Sequence, residues 1–385
     1  MTKQDHTLPD EGRRRRRPWV VAVPLAIFVL IALAWSGFWF YAVSMTETAL
    51  ADWQAREAAL GRTFRCGKQS IGGFPFRFEL RCVDPSARFD GGARPTALAA
   101  KDFVIVAQIW QPTLLIGELV GPLTIGEADK LPALSLSWSL AQASLRGMPI
   151  EPERAAVVID QLTVAGLDRG AQTMLANAGR VELHGRIASG SARDNPVLDL
   201  ALSLSQASAS RLGELAATPF DADIVAVLRG LENLTPKSWP EALRALQAAN
   251  GRLDITRARI TQGDVVATGS GSLGLTPRGA LNGELQVTIA NFEKLIPLLG
   301  IDRMVSQLVP QGTLERLAPG LDRLVPGLGG VLRGNTAAPA AKGAIDALGK
   351  RTELEGKSAV TLPLRFSDGA VLLGPFRLTE IPPLY

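Results

Sequence analysis

Hydrophobic and polar positions alternate along this chain at two different scales. From Trp19 to Val43 no charged residue occurs. As a helix rising about 1.5 Å per residue, the run reaches about 37 Å, enough to cross a hydrocarbon core with some tilt. Pro24 falls in its first turns, where a missing amide donor costs least. Trp19 stands at one end and Trp35, Trp39 and Tyr41 near the other, as expected of aromatic belts at two interfaces. Ala42-Val43-Ser44 has the small-residue spacing of a weak cleavage site. The apolar run, however, is far longer than the roughly 7 to 15 residues of a signal peptide. The reading is an uncleaved transmembrane helix.

Thr46 to Leu60 then predicts a second helix, with Leu50, Trp53 and Leu60 near one face and Gly61 as its stop. It either continues the membrane helix or forms a stalk. From Phe64 to about Ile289 the repeat falls to two, the signature of half-buried strands. Strands are expected over Phe74–Cys82, Asp102–Trp110, Thr113–Leu119, Leu134–Leu140, Ala156–Val164, Arg180–Ile187, Val197–Leu204, Arg252–Ile260 and Glu284–Ile289. Ile71-Gly72-Gly73, Gly121-Pro122 and Pro277-Arg278-Gly279 supply turns. Ser238-Trp239-Pro240-Glu241 has capping-box spacing, and Asn250-Gly251 closes the short helix that follows. A leucine-rich helical region is expected from Asn291 to about Leu332, broken by Pro297, Pro310, Pro319 and Pro326. An Ala/Pro connection follows it over Asn335 to Ala341. Leu362, Leu364 and Phe366 then alternate, and Asp368-Gly369 makes a tight hairpin turn toward Val371 and Leu373.

Strands that follow one another without alternating helices point to antiparallel sheet. The expected fold is β-rich α+β: an N-terminal transmembrane helix, then an extended, curved antiparallel sheet with a few short helices. The segments are a basic tail over 1–18, the transmembrane helix over 19–43, a juxtamembrane helix over 44–63, and a β-rich body over 64–385 with a helical insertion at about 291–334.

Hydrophobic residues make up 46% of the chain and charged ones 20%, which excludes a disordered chain. Of the net charge of +4, most belongs to the tail, where Lys3 and Arg13 to Arg17 outnumber Asp5, Asp10 and Glu11. The body is close to neutral and carries no nucleic-acid footprint. Arginines directly before the apolar run keep the N-terminus on the cytoplasmic side and place the body across the membrane. There Cys66 and Cys82, the chain's 2 cysteines, read as one disulfide. Phe74, Phe76, Phe78, Leu80 and Cys82 fall on one face of the expected strand, and Phe64 and Cys66 likewise share a face.

Catalytic patterns are hard to find. Gly269, Gly271 and Gly274 spell a dinucleotide fingerprint, but Leu275-Thr276-Pro277-Arg278-Gly279 is a turn where the fingerprint needs a helix. Gly356-Lys357-Ser358 resembles the end of a phosphate loop, with Arg351 where its first glycine must stand. Of the 2 histidines, His6 is in the tail and His184 in an alternating strand, where a structural role is expected. No His-Glu-x-x-His and no Gly-x-Ser-x-Gly occurs, and the scattered acidic residues offer no acid–base pair. No catalytic, metal-binding or cofactor-binding residue is nominated.

Several blocks resemble an uncharacterised bacterial family, the one catalogued as domain of unknown function 2125. They are the N-terminal apolar helix, then Gly73-Phe74-Pro75-Phe76-Arg77-Phe78-Glu79-Leu80-Arg81-Cys82, then Trp110-Gln111-Pro112 and Gly121-Pro122-Leu123. The last are Leu364-Arg365-Phe366-Ser367-Asp368-Gly369, Leu373-Gly374-Pro375 and Pro382-Pro383-Leu384. The resemblance implies an inner-membrane-anchored envelope protein and brings no catalytic residue. A looser likeness is to AsmA-type envelope proteins, in the glycine-spaced strands Gly269 to Leu275 and Gly279 to Leu285.

The expected function is therefore that of a non-enzymatic, single-pass inner-membrane protein with a periplasmic body. Its partners would be membrane lipids or envelope proteins, and not nucleic acid. Aliphatic faces lined by Leu, Val, Ala and Ile would hold or pass lipid, with the Asn291–Leu332 segment as cover or lid; alternatively that segment completes an ordinary packed core, which leaves no lipid groove. The alternatives are a structural subunit of an envelope complex and a periplasmic enzyme with a site assembled from distant residues.

Overall fold

A computed structural model of the chain describes residues 19–90, 94–148, 150–168, 171–235, 238–294, 349–373 and 376–385. The tail, the Ala/Pro connection and nearly all of the expected insertion at 291–334 lie outside them. Among the described residues one helix, α1 (Trp19–Ala59), is long and apolar enough to cross a membrane. No glycine or proline falls between Phe38 and Leu60, so nothing breaks the helix where the apolar run ends. It ends at a turn, where Leu60 N–H donates to Glu57 O and Gly61 takes a φ of 74°. The segment 44–63 is thus a continuation of α1 with the first residues of a strand.

Strands β1 (Arg62–Arg65), β2 (Lys68–Gly72), β3 (Arg77–Val83), β4 (Ser86–Phe89), β5 (Thr96–Ala99) and β6 (Asp102–Gln108) follow. Next come β7 (Gln111–Val120), β8 (Leu123–Glu127), β9 (Leu134–Ser137), β10 (Leu140–Arg146), β11 (Arg154–Asp168) and β12 (Ala171–Ser191). Then come β13 (Asp194–Ala207), the short α2 (Glu214–Ala217), β14 (Phe220–Arg229), α3 (Trp239–Ala248), β15 (Arg252–Gln262), β16 (Val265–Leu275) and β17 (Leu281–Ala290). β18 (Lys350–Leu354), β19 (Lys357–Ser367), β20 (Ala370–Leu373) and β21 (Phe376–Glu380) end the chain.

The structure corrects three sequence expectations. The strand expected over Phe74–Cys82 begins only at Arg77. Gly73, at a φ of 98°, turns the chain, and Arg77 N–H donates back to Gly73 O to close that turn. Ile71 and Gly72, expected in the turn, belong to β2. The strand expected over Leu134–Leu140 is two strands, parted where the Trp138 indole swings across to donate to Leu119 O at 2.8 Å. Elsewhere the local signals hold. Ser238 and Glu241 form the capping box of α3, and Asp368 and Gly369, both with positive φ, make the two-residue turn between β19 and β20.

All described strand pairs are antiparallel, and they form one large open sheet. From β10 to β17 each strand pairs with the next, and β17 pairs with β19. At its N-terminal end the sheet divides at β11. One branch runs β10–β7–β6–β3–β2 and the other β9–β8–β5–β4–β1. Gln161, at a φ of 54°, marks the division, between the stretch of β11 that pairs with β10 and the stretch that pairs with β9. Gly271 and Gly283 (φ 152° and 145°) face the partner strand's backbone so closely that an added Cβ would lie 2.2 Å from a carbonyl oxygen. Only glycine lets β16 and β17 approach and bend there.

Candidate functional site

In an antiparallel pair, residues directly opposite share a face of the sheet. Followed from strand to strand, one row reads Leu80, Ile105, Gly117, Ala143, Val157, Leu183, Leu202, Ile224, Ala258, Gly269, Val287 and Leu362. At about 4.8 Å per strand spacing this row measures about 50 Å along the sheet. A neighbouring row reads Leu200, Ala226, Ile255, Gly271, Leu285 and Leu364, and the next Leu198, Leu228, Leu253, Leu273, Gly283 and Phe366. None of these positions carries a polar side chain. Most are half-buried, and Leu362 is only 1% exposed.

The opposite face is polar. Its corresponding row includes Glu182, Ser203, Asp223, Arg259, Thr268 and Thr288. Cross-strand ion pairs lie on it: Arg180–Asp160, Arg186–Asp199, Arg229–Asp254 and Arg365–Glu284, at 2.8 to 3.2 Å. Hydrogen bonds from Arg180, then from His184, hold the Glu182 carboxyl below its ordinary range. Burial pushes the Asp254 carboxyl up, but the Ser272 hydroxyl and the Arg252 and Arg229 guanidiniums bring it below its ordinary value. These exposed pairs add little stability individually. They keep the second face wet, so the two faces of one sheet differ sharply in solvent preference.

The aliphatic face begins under α1. Trp39, 5% exposed, stacks on Phe78 with ring centroids 5.9 Å apart, and its indole donates to Arg77 O. Further along the helix, Trp53 meets Phe64 at 4.9 Å. Between the helix and the two branches lies a cavity of about 330 Å³, lined by Leu50, Trp53, Phe64, Leu80, Phe103 and Leu119 among others. Its wall is almost wholly apolar, and its volume falls at the lower end of small-molecule sites. Leu80 and Ile105 belong to both the cavity wall and the long row, so the row begins in that wall. Cys66, just after β1, and Cys82, in β3, are joined by a disulfide with their Cα atoms 5.4 Å apart. The bridge forms part of the cavity wall and ties the two branches together. Glu57 in α1 pairs with Arg62, which holds its carboxyl below the ordinary range and fixes the helix to β1. The Glu241 carboxyl is lowered first by its hydrogen bonds with Ser238 and at longer range by Arg244 and Arg62.

The remaining sequence candidates fall elsewhere. His184 stands on the polar face beside Ala156 and Ala201, with Glu182 Oε2 at 3.3 Å from its Nε2. Gly269, Gly271 and Gly274 lie within β16, so no helix N-terminus is there to receive a pyrophosphate. Gly356 occupies the two-residue hairpin turn between β18 and β19. Among the described residues no group of three or more His, Cys, Asp and Glu side chains could hold a metal ion. The cavity under α1 was not foreseen. Its residues are scattered over strands whose pairing no local pattern reveals.

A family model described as "Uncharacterized protein conserved in bacteria (DUF2125)" matches residues 39–382. No curated protein and no solved structure matches, so the looser AsmA-type likeness finds no support there.

Proposed function

The chain belongs to the DUF2125 family of uncharacterised bacterial proteins, and from that premise we propose that it is a lipid-holding envelope protein. In this reading α1 anchors it in the inner membrane, with the arginine-rich tail cytoplasmic and the sheet in the periplasm. One observation carries the proposal: the unbroken aliphatic row from Leu80 to Leu362, which starts in the cavity beneath the anchor helix. A sheet face of this kind must be covered by a second layer or by a ligand. Acyl chains match its composition of aliphatic side chains and glycine, whereas a polar substrate would find nothing to hydrogen-bond.

A retained anchor is supported by the contacts of Trp35 and Trp39. Their indoles donate to Pro75 O and Arg77 O, so cleavage after Ser44 would remove part of the body's own packing. The protein acts here without catalysis, by holding the apolar part of a lipid away from water. Native mass spectrometry of the detergent-released full chain tests this. Phospholipid should stay bound to the wild type and to the polar-face variant Ser203→Asp/Thr288→Asp. It should be lost from Leu202→Asp/Val287→Asp. Equal lipid retention by all three would refute the reading and leave a scaffold for another envelope protein.

A further inference from the structure

We infer that the body does not stand off the membrane on a stalk but is seated in it, with the turn Phe74-Pro75-Phe76 and the neighbouring Trp110 inserted into the lipid at the outer interface. The inference rests on α1 crossing the membrane, as proposed above, and not on lipid binding by the sheet.

Depth along the helix supplies the argument. Trp35 lies about 24 Å and Trp39 about 30 Å beyond Trp19 at about 1.5 Å per residue. If Trp19 marks one interface, a core of about 30 Å places the other near Trp39. The turn after β2 is bound at that depth. Trp35 Nε1 donates to Pro75 O at 3.0 Å, and the Phe74 ring lies 5.4 Å from Trp39 and 6.3 Å from Phe40. Unpaired backbone polar groups are costly in a bilayer, and three carbonyls of this turn are paired. Here Pro75 O accepts from Trp35, Gly73 O accepts from Arg77 N–H, and Phe76 O accepts from Ile109 N–H.

Large apolar side chains are exposed at this end, beside the charged Arg77 that follows the turn. Phe74 is 50% exposed, Phe76 62% and Trp110 69%. Ile150, exposed in the turn between β10 and β11, belongs to the same end of the sheet, since Gly147 N–H donates to Thr113 O just after Trp110. Large exposed apolar residues clustered at successive turns mark an interaction site. At the other end of β3 the turn residues are Asp84 and Lys101, whose backbones pair with each other. The clustered tips Phe74, Phe76 and Trp110 thus occupy the end that α1 carries into the bilayer, and a lipid surface is the occupant that this continuity selects.

The test uses the full chain in nanodiscs of phosphatidylethanolamine and phosphatidylglycerol, with doxyl-labelled phospholipid as quencher. With both native cysteines in the disulfide, Phe76→Cys, Trp110→Cys, Ile31→Cys and Leu131→Cys each provide a single thiol for a nitrobenzoxadiazole fluorophore. Ile31 reports the span. Leu131, exposed beyond β8, reports the level of Arg62 and Phe89, where α1 has ended. The expected result is loss of most emission at Ile31, Phe76 and Trp110, with emission at Leu131 retained. Quenching at Ile31 but not at Phe76 and Trp110 would overturn this inference alone. No quenching at Ile31 would overturn the anchor and this inference with it.

Discussion

Replacing Leu362 by alanine tests whether the two faces of the sheet differ as described. Leu362 is 1% exposed and ends the aliphatic row opposite Val287. The truncation removes three carbons from a fully buried site, which leaves a cavity and costs about 2–5 kcal/mol. Three residues along the same strand, Arg365 faces the other way and pairs with Glu284 at 3.1 Å. Both partners of that pair are exposed, so Arg365→Ala should cost about 1 kcal/mol or less. For a domain this large, each kcal/mol lowers Tm by about 2–4 °C. Leu362→Ala should therefore melt about 5–15 °C below the wild type, and Arg365→Ala within about 4 °C of it. Thermal unfolding of the detergent-solubilised chain, followed by circular dichroism in the β-sheet band, measures both. Equal shifts, or a larger one for Arg365→Ala, would refute the assignment of faces.

The disulfide closes a loop with a sequence separation of 16, so Cys82→Ser should destabilise the body by about 3 kcal/mol; untreated protein should also resist thiol labelling until reduced, and free labelling without reductant would contradict the bridge. Gly271→Val should cost about 1–3 kcal/mol or more, because φ 152° and a 2.2 Å approach to Glu284 O leave no room for Cβ; an unchanged melting temperature would show that the sheet is not pinched there. The carboxyls of Glu57, Glu182 and Asp254 are depressed in the folded chain. Their contribution is therefore present above the unfolded value, near 4, and is lost as pH falls through the lower folded values. Melting temperature should be flat from neutral pH to about 5 and drop below about 4; a drop already complete at pH 6 would point to other groups.

Much of the architecture was legible because it is local. The uncharged run before Ser44, the alternation of Leu362, Leu364 and Phe366 with Arg365, and Asp368-Gly369 each carry their own signal. β14 went unseen because Ala222 and Ala226 stand where its inward face would need larger residues to show a clear alternation. Phe74 and Phe76 misled for a converse reason. They alternate like strand residues, but Gly73 turns the chain away from the sheet and toward Trp39. An apolar face could be expected from the alternation alone. Its continuity could not, because the aliphatic rows depend on register across successive strands, including the irregularity that sets Ala226 against Ile255 in the neighbouring row. The bond from Trp35 to Pro75 joins residues 40 positions apart and has no local signature.

The claim that the aliphatic face holds lipid is tested most directly by photocrosslinking in living cells. Benzoylphenylalanine would be placed at Val157, Leu202 and Val287 on that face, and at Val158, Ser203 and Thr288, one residue on and facing the other way. The account predicts light-dependent phospholipid adducts at the first three positions and none at the second three. Adducts to another protein at the first three positions, or no adducts at any of the six, would contradict it.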